Sequence, residues 1–262
     1  MNAAVAARVA FRSLANLAVG RPLCVSFEVT HSCPARCLHC DKGGMKPGEK
    51  RLAPEDYRRL ARELSPAVVQ LSGGEPLTRG DLEEVARAVE NPRGPPLVIC
   101  VTNGWLLDER RYRSLLRAGV DVFSISLDFP DARHDGFRRI PGLYAKLDDL
   151  VPRLARLGAG NVALNTALTR ANFAEIPALV ANAERWGVKI AFSAYSVLRT
   201  GNRDYCIERA EDLDLLARHC ELLRREHLAE VPGAAHGGPV TPVALRFPGS
   251  GASGSSDIST RA

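Results

Sequence analysis

From residue 21 onward, short runs rich in β-branched residues alternate with segments whose apolar residues recur every three or four positions. Few folds satisfy that alternation. The runs are "LCVSFEVT" (23–30), "AVVQLS" (67–72), "PLVICVT" (96–102), "DVFSISLD" (121–128), "NVALNTALT" (161–169) and "VKIAFSAYSV" (188–197), so six strands are expected. Between the first two lies a helical pattern carrying Tyr57, Leu60, Ala61 and Leu64, with Pro54 at a suitable first helical position. Segments near 80–90, 107–118, 142–157, 173–186 and 208–228 read the same way. Repeated βα units imply an α/β fold with a parallel sheet, either an open doubly wound sheet or a barrel.

The chain has 262 residues, 45% hydrophobic and 25% charged, enough for one large domain or two small ones. No apolar run reaches the roughly 18 residues of a membrane span. The first twenty residues, "MNAAVAARVAFRSLANLAVG", read as an amphipathic helix interrupted by Arg8 and Arg12, without a signal-peptide layout. An organellar transit peptide would also be Arg-containing and amphipathic, but no cleavage pattern follows, and a cytoplasmic location is expected. Net charge is +5. The charges are spread along helices such as "EDYRRLAREL" rather than gathered in a basic block, so no nucleic-acid footprint is evident. Seven cysteines without a secretory signal do not suggest a disulfide framework.

The unusual residues fall at strand ends. The first run leads into "THSCPARCLHCDKGG" (30–44), which holds Cys33, Cys37 and Cys40; the second closes on Gly73, Gly74 and Glu75; the third on Asn103 and Gly104; the fourth on Ser126 and Asp128. In parallel βα folds the carboxyl ends of the strands face one shared site.

Three cysteines at i, i+4 and i+7 could be a buried helix stripe, but Pro34 and the following "DKGG" leave no room for a long helix. Thiolates suit zinc, with His31 or His39 completing a Cys3His set. They equally suit a four-iron cluster with one iron free of protein ligands.

"CPARCLHC" resembles the CxxxCxΦC loop of the radical S-adenosyl-L-methionine (radical SAM) superfamily, with His39 at the aromatic position. "LSGGEPL", "VTNG", "SISLD" and "HDGFRRIPG" (134–142) are similar to motifs that follow in many members, and the likeness runs over about residues 20–200. It implies a partial (β/α)6 TIM-type barrel over residues 21–230. It implies that Cys33, Cys37 and Cys40 hold three irons of a [4Fe-4S] cluster, and that SAM binds the fourth. It implies reductive cleavage of SAM to a 5′-deoxyadenosyl radical that abstracts a substrate hydrogen, with electrons from a donor such as flavodoxin or ferredoxin. SAM contacts are expected at His39, at the Gly73 and Gly74 backbone, and at Glu75 beside the ammonium. Ser126 and Asp128 are expected to face the ribose or carboxylate, Arg138 to pair with the carboxylate, and Asn165 to lie near the ligand. Tyr195 and Ser196 are weaker candidates for adenine or substrate.

Of the other cysteines, Cys24 and Cys100 are expected to be buried in strands, and Cys220 to share a core stripe with Leu213, Leu216 and Leu223. Cys206 lies in the irregular "GNRDYCIE". Many similar chains continue into an extension with further cysteines, whereas here none follows Cys220 and residues 231–262 are rich in Pro, Gly and Ser, an expected disordered tail. A member that needs no extension and a sequence truncated or altered near residue 230 both remain open, as does a degenerate relative or a non-catalytic iron–sulfur or zinc module. The substrate, peptide or small molecule, is not specified by these residues.

Overall fold

The computed structural model describes residues 3–90, 94–158, 160–198 and 200–229. Strands β1 (Cys24–Thr30), β2 (Val68–Gly73), β3 (Leu97–Thr102), β4 (Val122–Ser126), β5 (Val162–Leu168) and β6 (Lys189–Ala194) form one sheet. They pair in sequence order and every pairing is parallel. The sheet is unclosed, an α/β partial barrel, with β1 and β6 as its edges.

Helix α1 (Ala3–Ala18) precedes the sheet, α2 (Pro54–Leu64), α3 (Leu82–Ala88), α4 (Glu109–Arg117), α5 (Arg133–Arg138), α6 (Leu143–Leu157) and α7 (Ile176–Trp186) lie in the connections, and α8 (Ala210–Ala229) follows β6. Helix α2 starts at Pro54, whose fixed φ suits a first turn and whose missing N–H would have been unpaired there. Asp108 caps α4 by accepting the Arg111 N–H at 2.6 Å. The short α5 was not separable by pattern, because six residues span too few turns to show a period.

Alternate residues of each strand face opposite ways, and the two faces differ. One row, Phe27, Leu71, Cys100, Phe123 and Val162, runs in register across five strands and is buried. Tyr57, Val85, Tyr112, Leu147 and Trp186, from the outer helices, belong to the same core. The opposite row, with Ser26, Gln70, Ile99 and Val122 in register, is half-buried to exposed. The sheet therefore presents an open trough lined largely by small and polar side chains.

That asymmetry corrects one expectation. Cys100 is buried, but Cys24 is exposed, because it opens an edge strand on the trough side, where it registers with Val68. A second correction concerns α8: Leu216 and Leu223 are buried, yet Leu213 is 42% exposed and Cys220 only half-buried. The helix commits a narrower stripe to the core than its spacing suggests.

Helix α1 is held to the body through Asn16, which is buried and donates to the Ser65 and Pro22 carbonyls at 2.9 Å each. Phe11, Leu14 and Leu17 stand exposed on its other side. Among the described residues no helix is long and apolar enough to cross a membrane. The expected disorder of 231–262 lies outside the described residues.

Candidate metal and cofactor centre

Beyond β1 the chain runs without a helix from His31 to Ala53. What shapes it is hydrogen bonding. Cys33 donates its N–H to Gly44 at 3.1 Å, and Gly44 donates to Ala35 at 3.1 Å. The Glu49 carboxylate accepts from Thr30 Oγ1 and from the His31 N–H. The end of α5 supplies two carbonyls: Phe137 O accepts from Leu38 N at 3.1 Å and Arg138 O from Arg36 N at 3.3 Å.

Gly73 and Gly74 let β2 end against this loop. Gly73 has φ +125°, and a Cβ there would lie 2.2 Å from Thr30 O; one on Gly74 would lie 2.3 Å from Ser32 O. The backbone instead bonds across, with Gly74 N to Thr30 O at 2.7 Å and Glu75 N to Ser32 O at 2.8 Å. The space the missing side chains leave is taken by the cysteine loop itself.

The three cysteines are graded in exposure: Cys33 buried, Cys37 half-buried and Cys40 exposed. Each sulfur faces a nitrogen donor. Asn103 Nδ2 lies 3.7 Å from Cys33 Sγ, Arg138 Nη1 3.8 Å from Cys37 Sγ, and the Lys42 backbone N–H 3.4 Å from Cys40 Sγ. Burial pushes the Cys33 thiol up to about 12, opposed by the Ala35 N–H and reinforced by Glu75 and the neighbouring thiols; burial likewise raises Cys37, against Arg138.

Glu75 is fully buried with both oxygens engaged. Oε1 accepts from Thr102 Oγ1 (2.7 Å) and Leu77 N (3.2 Å), and Oε2 accepts from Asn103 N (2.7 Å). Burial raises its carboxyl above the ordinary range despite those donors. Asp128 is equally buried: Oδ2 accepts from Arg138 Nε at 2.5 Å and Oδ1 from Ala167 N at 3.2 Å. Burial would raise it, but Arg138, His134 and His39 bring it below the usual carboxylate range.

His134, also buried, accepts the Asp128 N–H at Nδ1 (3.1 Å). Asn172 Nδ2 donates to the carbonyls of Asp128 and Ala167. Ser126 registers with Asn165 across β4 and β5, and Asn165 Oδ1 accepts from Ser193 Oγ at 3.1 Å. His39 stacks on Phe137 with centroids 4.7 Å apart, and its buried Nδ1 has no hydrogen-bond partner.

Cys37, His39, Arg138 and Asp128 are thus joined directly or through one residue, and Cys33 is tied through Asn103 to Glu75, with Gly73 and Gly74 behind the loop. Ser126 ends β4, two residues before Asp128, and Asn165 lies beside it on β5. Tyr195 donates to Asn202 O, Ser196 is exposed, and Cys206 follows a short turn whose Tyr205 ring meets Phe137. Thr102, His134 and Asn172 carry no local sequence signal, since buried polar residues acquire meaning only through distant partners. Asn103 was visible as a strand-end residue, though not as a neighbour of Cys33.

The residues fit an iron–sulfur cluster with an organic ligand. Among the described residues no three His, Cys, Asp or Glu side chains converge on a point suited to one metal ion. Thiols that carry separate irons need no such convergence, and donors aimed at each sulfur stabilise metal-bound thiolate. The orphaned His39 Nδ1 awaits an outside partner.

This region lies within a stretch similar to known proteins. The sequence matches the family described as the Radical SAM superfamily over residues 27–183. A PqqA peptide cyclase from Granulibacter bethesdensis is 30% identical over 213 residues, 78% of this chain and 56% of that protein. A probable GTP 3′,8-cyclase from Methanopyrus kandleri is 33% identical over 170 residues, 62% of this chain and 53% of the relative. The chain spans about half the length of these curated relatives. The structure of Streptococcus suis SuiB bound to the precursor peptide SuiA superposes with a TM-score of 0.65 at 18% identity, covering 84% of this chain and 50% of SuiB. At that identity the likeness is one of fold.

Proposed function

This chain belongs to the radical SAM superfamily, whose enzymes use a [4Fe-4S] cluster and SAM, and we propose that it cleaves SAM reductively to start radical chemistry on a peptide or small-molecule substrate. The observation that carries the reading is the set of three cysteine sulfurs, each faced by one nitrogen donor, at the mouth of an open trough. A bound cluster would supply the one-electron reducing power for splitting SAM into methionine and a 5′-deoxyadenosyl radical, and the radical would take a hydrogen atom from the substrate. Cys33, Cys37 and Cys40 hold the cluster. His39 offers Nδ1 and a stacked ring to SAM, beside the Gly73–Gly74 backbone, with Ser126, Asn165 and Arg138 on the strand-end side. Glu75 and Asp128, whose oxygens are spent on protein donors, keep that surface in shape.

The trough holds the substrate. A relative named for a peptide and a fold neighbour solved with a precursor peptide favour a peptide; a relative named for GTP keeps a small molecule in view. The electron comes from a separate donor, a flavodoxin or ferredoxin, and the location is cytoplasmic.

The test is anaerobic reconstitution with iron and sulfide, reduction with dithionite, and assay of 5′-deoxyadenosine and methionine after SAM is added. Formation of both supports the reading. A fully loaded cluster that yields neither overturns it in favour of a degenerate relative, and zinc retained in place of iron overturns it in favour of a structural metal module.

A further inference from the structure

The three sulfurs do not face equivalent donors. Cys33 meets a neutral side-chain amide and Cys40 a backbone N–H, but Cys37 meets a guanidinium. That guanidinium is not free to leave. Arg138 is buried to 11% side-chain exposure, its Nε lies 2.5 Å from Asp128 Oδ2, and its own carbonyl and that of Phe137 are bonded to Arg36 and Leu38, on either side of Cys37. Asp128 is fixed in turn, by Ala167 N at its carboxylate, by His134 at its N–H and by Asn172 at its carbonyl. The result is a buried, oriented pair of opposite charges with its positive end on one cysteine.

An electron added to a metal centre adds negative charge, which a nearby cation and an N–H···S bond stabilise and a nearby anion opposes, the more strongly out of water. We propose that the Asp128–Arg138 pair poises the reduction potential of the cluster through Cys37, Arg138 raising it and Asp128 holding that rise in check. The proposal rests on the reading that Cys33, Cys37 and Cys40 carry a cluster. Arg138 and Asp128 are here positioning and tuning residues, acting through the ligand.

The test is a redox titration of the reconstituted full chain without SAM or substrate, followed by electron paramagnetic resonance, with iron and sulfide assayed and the fold checked by circular dichroism. Arg138→Met should lower the midpoint potential and Asp128→Asn should raise it, while Arg138→Lys, which keeps the charge, should fall between Arg138→Met and wild type. Shifts in one common direction, or none, overturn the proposal, because a packing role has no reason to give opposite signs. Asp128→Asn leaves a buried cation uncompensated; if it does not fold, the double variant Asp128→Asn with Arg138→Met serves instead. Its midpoint should lie above that of Arg138→Met alone, and a midpoint at or below it overturns the role of Asp128. Wild type that takes up no iron and sulfide overturns the cluster reading and this proposal together; a loaded wild type with unshifted variants overturns only the latter.

Discussion

Glu75 Oε2 accepts the backbone N–H of Asn103 at 2.7 Å, while Asn103 Nδ2 reaches to 3.7 Å from Cys33 Sγ. The buried carboxylate at the end of β2 therefore sets the amide that faces the first cysteine. Three donors, from Leu77, Thr102 and Asn103, converge on its two oxygens. Glu75→Gln offers one oxygen and an amino group, so at least one buried N–H loses its acceptor. A loss of about 1–3 kcal/mol in urea-unfolding free energy is expected for the apoprotein. An unchanged urea midpoint would mean that the three bonds contribute nothing net.

Each of Cys33→Ala, Cys37→Ala and Cys40→Ala should abolish stable incorporation of iron and sulfide, measured after anaerobic reconstitution and desalting. Cys220→Ala and Cys24→Ala, outside the loop, should retain wild-type content. Full iron in any of the first three would remove that residue from the ligand set.

Gly74→Ala should lower cluster content, because its Cβ would sit 2.3 Å from Ser32 O, beside Cys33. Gly80→Ala, whose Cβ would meet nothing within 4 Å, is the matched control and should load normally. Equal loading by the two proteins would show that the loop tolerates displacement at Ser32.

Arg79 donates to both Asp81 oxygens, at 2.8 and 2.7 Å, and to the carbonyls of Val29 and Leu52. Hydrogen bonding from Arg79 holds the Asp81 carboxyl below its ordinary range, against a smaller opposing effect of burial. A carboxyl depressed on folding stabilises the protein above its unfolded pKa, about 3.9, and that contribution is lost as pH falls through the folded value. Asp81→Asn should thus flatten the acid limb of a stability-against-pH curve below about pH 4. A limb of unchanged slope would show that the Arg79–Asp81 pair does not titrate with folding.

The six strands and their order of appearance were legible because alternation and β-branching are local, and the cysteine loop because its spacing is short. Thr102, His134 and Asn172 were not, since each gains its role from a partner distant in sequence, as His134 does from Asp128. Strand periodicity says which residues share a face, not which face the helices cover, and so it leaves the exposure of Cys24 undetermined. The glycines at 73 and 74 mark a place of close approach in the sequence, and the fold shows that what approaches is the chain's own Thr30 and Ser32.

The sheet's two rows have a consequence for how such a protein can change. Phe27, Leu71, Cys100, Phe123 and Val162 carry the packing, while their neighbours Ser26, Gln70 and Ile99 are half-buried or exposed in the trough. The packed core and the open trough are written on alternate letters of the same strands. A lineage can rewrite the trough lining one residue at a time, and the core beneath it has no reason to register the edit.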